Sequence, residues 1–189
     1  MDLDGIDSSG LAINDAGQIT GTFKAHASIY SNGQVTDLGT LGGLFSTGYG
    51  INNAGQVTGE SATSMRTTHA FLYSNGVLQD LGTLGGTDSY GRSINNVGQV
   101  VGQSYTSETT VAAFLYSGGQ MYNLNNLIDP ALHVILTGAT AINDHGQIVA
   151  NSDNRAYLLT PVPEPSTWAL LGVTFLGIAT WRRVRKAHP

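Results

Sequence analysis

The sequence predicts an all-β protein of about four repeated, four-stranded antiparallel sheets, resembling β-propeller blades, followed by one C-terminal transmembrane helix. Three observations predict this architecture: a six-residue motif that recurs four times, short strand patterns separated by Asn-Gly turns, and a C-terminal segment of different composition. Repetition at a period near 40 residues is typical of proteins built from stacked copies of one structural unit.

The repeated motif is Ile-Asn-x-x-Gly-Gln. Its copies lie at Ile13–Gln18, Ile51–Gln56, Ile94–Gln99 and Ile142–Gln147. Successive copies begin 38, 43 and 48 residues apart. A second related block follows each copy, and these blocks begin at His26, His69, Ala112 and Arg155. The chain therefore contains four units, and a residue has to be compared with its counterparts in the other units before it is assigned to a site.

Each complete unit contains four short strand signals. In the second unit these are Thr47–Ile51, Gln56–Glu60, His69–Tyr73 and Val77–Leu81. Asn and Gly between them tolerate the positive φ of tight hairpin turns. Alternation of apolar and polar residues over about five positions is typical of half-buried strands. Segments 38–43 and 81–86, both Leu-Gly-Thr-Leu-Gly-Gly, are predicted to break the sheet and lead into the next unit.

The fourth unit supplies only three strand signals, at Gly138–Ile142, Gln147–Asn151 and Arg155–Leu159. Residues Asp2–Ile6 could supply the missing outer strand and close a four-bladed ring, which would remove exposed sheet edges. The alternative is an open fragment of a larger propeller.

Before the fourth unit, residues 123–136 form an insertion, in which a short helical turn is expected near Asn125–Ile128.

The composition excludes several classes of function. The chain has no cysteine, so it has no disulfide, thiol catalysis or cysteine-based metal site. Charged residues make up only 11% of the chain and form no basic stripe, so no nucleic-acid partner is expected. Residues 1–160 have a net charge of −8, whereas residues 161–189 have a net charge of +3. This asymmetry indicates that the two parts meet different surroundings.

Histidines and aspartates are the candidates for chemistry within the repeats. His26 and His69 correspond to Ala112 and Arg155 in the other units, which predicts a surface position and no catalytic residue. Asp15 and Asp144 are expected to stabilise their own turns by bonding local backbone. Asp37 and Asp80 are expected to accept backbone N–H groups where units join. The carboxylates of Asp37 and Asp80 would suit the cleavage of a glycosidic bond only if they faced each other about 5–10 Å apart.

Asp2, Asp4 and Asp7 surround Gly5 at the spacing of a possible calcium loop. Calcium takes several oxygen ligands from such carboxylates. The EF-hand pattern is incomplete, because its twelfth position falls on Ile13 instead of Glu. The residues are therefore better explained as the joint between two units, and no cofactor is expected, with Ca²⁺ as the alternative.

The composition changes after residue 160, so the chain is predicted to have three parts. These are a repeat domain at 1–160, a proline-rich linker at 161–167, and a membrane helix with a basic tail at 168–189. The linker contains Pro163, Glu164 and Pro165. The proposed membrane anchor comprises Trp168, Leu170, Leu171, Val173, Phe175, Leu176, Ile178 and Trp181. Arg182, Arg183, Arg185 and Lys186 follow as a basic stop-transfer cluster, which orients a membrane segment with its basic end in the cytoplasm.

The Pro-Glu-Pro motif, the short apolar segment and the arginine-rich end together resemble the PEP-CTERM sorting signal. That resemblance implies export, transient tethering in the inner membrane, and processing by an exosortase-type enzyme in bacteria that make extracellular polysaccharide. The repeats, through His69-Ala70-Phe71, resemble the HAF family of extracellular repeats. No signal peptide precedes the repeats, and the joint-like Asp2–Gly10 leads us to expect a truncated or misassigned start.

The sequence as a whole predicts a non-enzymatic, exported protein of the cell surface or extracellular matrix that binds or organises polysaccharide. No nucleophile elbow, phosphate loop or zinc-protease motif is present. The alternatives are a propeller-type glycosidase or lyase that uses Asp37 and Asp80, and a calcium-dependent binding module.

Overall fold

In a computed structural model, residues 8–152, 154–162 and 181–186 are described. They form four antiparallel sheets of four strands each, and the strands of each sheet are neighbours in chain order. One sheet corresponds to one sequence unit, so the predicted all-β fold of four repeated sheets is confirmed.

The strands of the first sheet are β1 (Ser8–Ile13), β2 (Ile19–Phe23), β3 (His26–Ser31) and β4 (Gln34–Asp37). Those of the second are β5 (Gly42–Ile51), β6 (Val57–Thr63), β7 (Thr68–Ser74) and β8 (Val77–Asp80). Those of the third are β9 (Ser89–Ile94), β10 (Val100–Tyr105), β11 (Val111–Ser117) and β12 (Gln120–Asn123). Those of the fourth are β13 (Gly138–Ile142), β14 (Ile148–Ser152), β15 (Arg155–Pro161) and β16 (Trp181–Lys186).

The first of the two joints ends the first sheet and leads into the second, as predicted, and its last two residues already belong to the second sheet. β5 begins at Gly42, inside the Leu-Gly-Thr-Leu-Gly-Gly segment, and Gly42 pairs with Thr63. A Cβ on Gly43 would lie 2.4 Å from the Cβ of Ala62, so only glycine allows the two strands to approach this closely. The second joint carries no strand, and β9 begins after it at Ser89.

The outer strand of the fourth sheet is β16, which pairs with β15, so Asp2–Ile6 does not hold that place. A three-stranded sheet would leave the outer edge of β15 with unpaired N–H and C=O groups, and β16 satisfies them. Trp181 and the basic cluster at 182–186 therefore lie in a strand.

Asp2–Ile6 and the segment 163–180 lie outside the described residues. Among the residues that the structure describes, no helix is long and apolar enough to cross a membrane.

The insertion before the fourth unit is part of the core. A 3₁₀ turn at Leu124–Asn126 overlaps the predicted helical turn, and a second 3₁₀ turn follows at Pro130–Leu132. The Asn125 side chain donates to the Leu136 carbonyl and accepts from its N–H, at 2.9 and 2.7 Å. Leu124, Ile128 and Leu136 are buried in the cluster between the third and fourth sheets. The insertion thus supplies core side chains between the third and fourth sheets.

Three apolar clusters hold the sheets together, and each lies between two consecutive sheets. We call the side of a sheet that packs on the following unit its leading face, and the opposite side its trailing face. In the first cluster, Ala27 and Ile29 of the leading face meet Ile51, Val57 and Phe71 of the next trailing face. The other two clusters repeat this arrangement. The core is therefore a series of sheet-on-sheet layers.

The motif asparagine organises the turn between the first two strands of each unit. In the second unit, Asn52 is 4% exposed, and its Oδ1 accepts from the N–H groups of Ala54 and Gln56 at 3.1 and 2.9 Å. Its Nδ2 donates to Gln56 Oε1 at 2.7 Å. Gly55 completes the turn at φ +73, a conformation that favours glycine. The spacing Asn-x-x-Gly-Gln therefore allows the asparagine side chain to form all of these hydrogen bonds within one turn.

The same asparagine also links each unit to the next. The second Nδ2 hydrogen of Asn14 goes to the Asn52 carbonyl at 2.9 Å. Asn52 donates in the same way to the Asn95 carbonyl at 2.9 Å, and Asn95 to the Asn143 carbonyl at 3.2 Å. The first three asparagines are buried, whereas Asn143, which belongs to the last unit that the structure describes, is exposed. We call this series the asparagine ladder.

Replacing Asn52 by Asp should destabilise the protein by about 2–4 kcal/mol, because the carboxylate loses both Nδ2 donors and faces two oxygen acceptors without compensation. The matched control is Asn75→Asp, in an exposed hairpin turn at φ 52, which should cost well under about 1 kcal/mol. Urea denaturation of both variants measures the difference. Equal losses would show that the ladder does not stabilise the fold.

Candidate functional site

A β-bulge interrupts the pairing of the first two strands in every sheet, at the same place. The register skips one residue of each first strand: Leu11, Tyr49, Arg92 and Thr140. Bulges redirect a side chain and are frequent beside functional sites. The backbone feature is constant while its residue differs in every unit. This pattern is typical of a ligand-contacting position on a repeated scaffold.

The bulged residues of the second and third units contact each other. The Arg92 guanidinium carbon lies 4.8 Å from the centroid of the Tyr49 ring and 5.5 Å from that of Tyr90. A cation held against aromatic faces in this way gains about 0.5–1 kcal/mol at exposed sites. The half-buried guanidinium is thereby held in place by two rings.

Both tyrosines keep their protons at neutral pH. Burial raises the pKa of Tyr49, and the nearby Glu60 carboxylate raises it further. Burial likewise raises the pKa of Tyr90, with additional contributions from Asp88 and Glu60. The two phenols are therefore neutral hydroxyl groups, which can donate and accept hydrogen bonds.

Arg92 also lines a cavity of about 500 Å³ between the third and fourth sheets. The polar side chains around it are Arg92, Gln103, Thr109, Thr137, Thr140 and Asn151. Val111 and the backbone near Gly138 and Ala139 complete the wall. A guanidinium, two amides and three hydroxyls can together donate and accept many hydrogen bonds. Such a set suits a polyhydroxylated ligand.

Neither Tyr49, Arg92 nor this cavity was predicted from the sequence. A signal was available: aligned on the motif isoleucine, the residue two positions before it is Leu11, Tyr49, Arg92 or Thr140. The position is variable between neighbours that are always small (Gly, Ala or Ser), but the sequence alone does not show that it is bulged.

In the first and second units, the predicted histidine and aspartate candidates pair with each other. His26 Nδ1 lies 2.9 Å from Asp37 Oδ2, and His69 Nδ1 lies 2.8 Å from Asp80 Oδ2. The carboxylates also accept the N–H groups of Gly39 and Gly82, at 2.8 and 2.7 Å, as expected for this joint. Each pair therefore fastens the third strand of a sheet to the end of its outer strand.

Asp15 and Asp144 act between units, which corrects the prediction that they bond their own turns. Asn53 Nδ2 donates to Asp15 Oδ2 at 2.6 Å. Asn96 donates through its backbone and side chain to the two oxygens of Asp144, both at 2.8 Å. These bonds lower the pKa of Asp144, the backbone bond most strongly. The turn itself is bonded by the neighbouring asparagine, which leaves the aspartate free to reach an adjacent unit: the following one for Asp15 and the preceding one for Asp144.

The remaining predicted sites fall largely outside the described part of the chain. Asp2, Asp4 and Asp7 lie there, as do Pro163, Glu164, Pro165 and the apolar anchor up to Ile178. Within residues 8–152 and 154–162, no group of three or more His, Asp or Glu side chains could hold a metal ion. Of the tail residues, Trp181 and the basic cluster have a described backbone, in β16.

One comparison with known proteins gives a match. Residues 161–186 match the family model described as the PEP-CTERM protein-sorting motif. This agrees with the resemblance inferred from the sequence, and it supports an exported protein that is sorted by an exosortase-type enzyme. A search of the curated proteins finds no significant match.

Asp37→Asn should weaken the pH dependence of stability in acid. Burial raises the pKa of Asp37, but the Gly39 N–H and His26 outweigh it, so the folded-state pKa is lowered. The ionised carboxylate therefore stabilises the fold above the unfolded pKa of about 3.9, and this contribution disappears as the pH falls through the folded pKa.

We expect the urea midpoints of wild type and Asp37→Asn to differ at pH 6 and to converge near pH 2.5. The control is Gln34→Asn, at a neutral exposed position of β4, whose difference from wild type should be the same at both pH values. A difference for Asp37→Asn that stays constant would show that the pair with His26 contributes nothing.

Proposed function

We propose that this protein is an exported, non-enzymatic binding module, which is sorted through its C-terminal tail and attaches to extracellular polysaccharide. The sheets act as blade-like units of the HAF type. Before processing, the tail tethers the chain in the inner membrane, a state in which Trp181–Lys186 do not pair with β15. The observation that carries the binding proposal is the Arg92 cavity, whose polar side chains belong to two consecutive units.

The chemistry of the cavity favours sugars. Carbohydrate hydroxyls need several donors and acceptors that converge on a shallow surface, and Gln103, Thr137 and Asn151 supply them beside Arg92. Tyr49 and Tyr90 are neutral aromatic groups held next to the same arginine. Aromatic side chains with a polar tip are well suited to a surface that is partly wet.

The overall charge favours neutral polysaccharides over acidic ones. The repeat domain has a net charge of −8, and Glu60 lies close enough to Tyr49 to raise its pKa. A polyanion would be repelled by most of this surface. A neutral chain would meet the hydrogen-bonding groups without that cost.

Affinity electrophoresis in gels that contain dextran or hydroxyethyl cellulose tests the binding. Retardation should be clear for the wild type and about tenfold weaker for Arg92→Gln, because a charged hydrogen-bond donor is lost. Arg155→Gln, at an exposed arginine of β15, is the matched control and should migrate as wild type. Equal retardation of all three proteins, or retention by alginate alone, would contradict the proposed site.

Export is tested separately, by replacing Pro163, Glu164 and Pro165 with Ala in the full gene expressed in a bacterium that has an exosortase. Wild-type protein should be processed and reach the cell surface or the medium, whereas the variant should remain unprocessed in the membrane fraction. Pro130→Ala, at an exposed proline of the repeat domain outside the matched residues 161–186, is the control. Unprocessed wild-type protein in the cytosol would refute the sorting proposal.

A further inference from the structure

The two ends of the stacked sheets are exposed apolar faces of complementary type. On the trailing side, Ile13 of the first unit is 66% exposed, whereas its counterparts Ile51, Ile94 and Ile142 are 8–9% exposed. The three buried isoleucines are covered by the leading face of the preceding sheet. Ile13 has no such cover in the described structure.

The leading face of the fourth sheet is open in the same way. Leu158 is 38% exposed, against 6–9% for its counterparts Ile29, Leu72 and Leu115. Val149 is also 38% exposed, whereas Val101 in the third unit is fully buried. Since both terminal faces are exposed in one molecule, they do not cover each other.

The asparagine ladder ends at the same two faces. The Nδ2 group of Asn143 donates only within its own turn in the described structure, whereas that of each earlier asparagine also donates to the carbonyl of the next unit. At the opposite end, the Asn14 carbonyl accepts the Gly17 N–H within its own turn. The last unit thus offers a donor, and the first unit offers an acceptor with a second lone pair.

We propose that the fourth sheet of one molecule stacks on the first sheet of a second copy, head to tail. The contact repeats what the chain already does three times: a leading face covers a trailing face, and the ladder continues across the junction. Because the two surfaces differ, the contact is heterologous and produces either a closed ring or an open filament.

One feature of the ladder opposes this contact. Within the chain the aspartates pair with asparagine, as Asp15 does with Asn53 and Asp144 with Asn96. At the junction, Asp144 of one copy would stand beside Asp15 of the other. Two carboxylates side by side repel each other, so the association is limited by charge as well as driven by apolar burial. Asp15→Asn would recreate the pairing found inside the chain.

The proposal is tested with the full chain in a mild detergent, by analytical ultracentrifugation over a concentration series. The wild type should self-associate, and Ile13→Lys and Leu158→Lys should each weaken the association about ten- to a hundredfold, because a charge replaces a buried apolar side chain. Met65→Lys, at a loop residue that is 77% exposed and belongs to neither face, is the control and should associate as wild type. Circular dichroism checks that every variant is folded.

Mixing the variants distinguishes this geometry from others. Each single-face variant keeps one intact face, so Ile13→Lys and Leu158→Lys together should form a dimer that stops at two copies. Association of either variant alone at wild-type strength, or a wild type that stays monomeric up to about millimolar concentration, would overturn the proposal. Asp15→Asn should tighten association about two- to fivefold, and no tightening would refute the in-register ladder.

Discussion

The structure depends on one buried amide in each of the first three units. The asparagine of Ile-Asn-x-x-Gly-Gln closes its own turn through Oδ1 and reaches the next unit through Nδ2, so a single side chain sets both local and long-range geometry. In a water-poor layer each of these bonds is costly to leave unmade. Serine adds a second link: Ser46 accepts the Ala27 N–H and donates to the Gly39 carbonyl, and Ser89 repeats this with Ala70 and Gly82.

Because main-chain bonds and the ladder hold the units in place, other positions are free to vary. The bulge is the clearest example, with Leu11, Tyr49, Arg92 and Thr140 on one backbone feature. Variation there changes the surface without changing the stack. The cavity beside Arg92 also depends on the third joint, where the insertion replaces the glycine-rich segment and fills the core with Leu124 and Leu136.

In a linear stack, each sheet is stabilised by its contacts with the sheets on either side. The sheets at the two ends lack one of these neighbours. Exposed Ile13 and Leu158 are the consequence of that geometry, since the same positions are buried wherever a neighbouring sheet is present. The sorting tail and the repeats have separate roles. The tail carries the sorting motif, and the repeats form the surface that the molecule presents.

The repeat by itself determined the number of sheets, the strands of the first three sheets and the positions of the turns, because alternation and Asn-Gly chemistry are local signals. The outer strand of the fourth sheet lies outside the repeat and was not predicted. The sorting motif was equally readable, since it is a linear pattern. Tertiary structure alone decided that Asn52 bonds across units, that Asp15 and Asp144 face a neighbouring turn, and that β5 begins inside its joint. It also decided that Tyr49 and Arg92 meet. These features depend on which residues come together when one sheet stacks on another, and residues 38 to 48 positions apart carry no local signal of that contact.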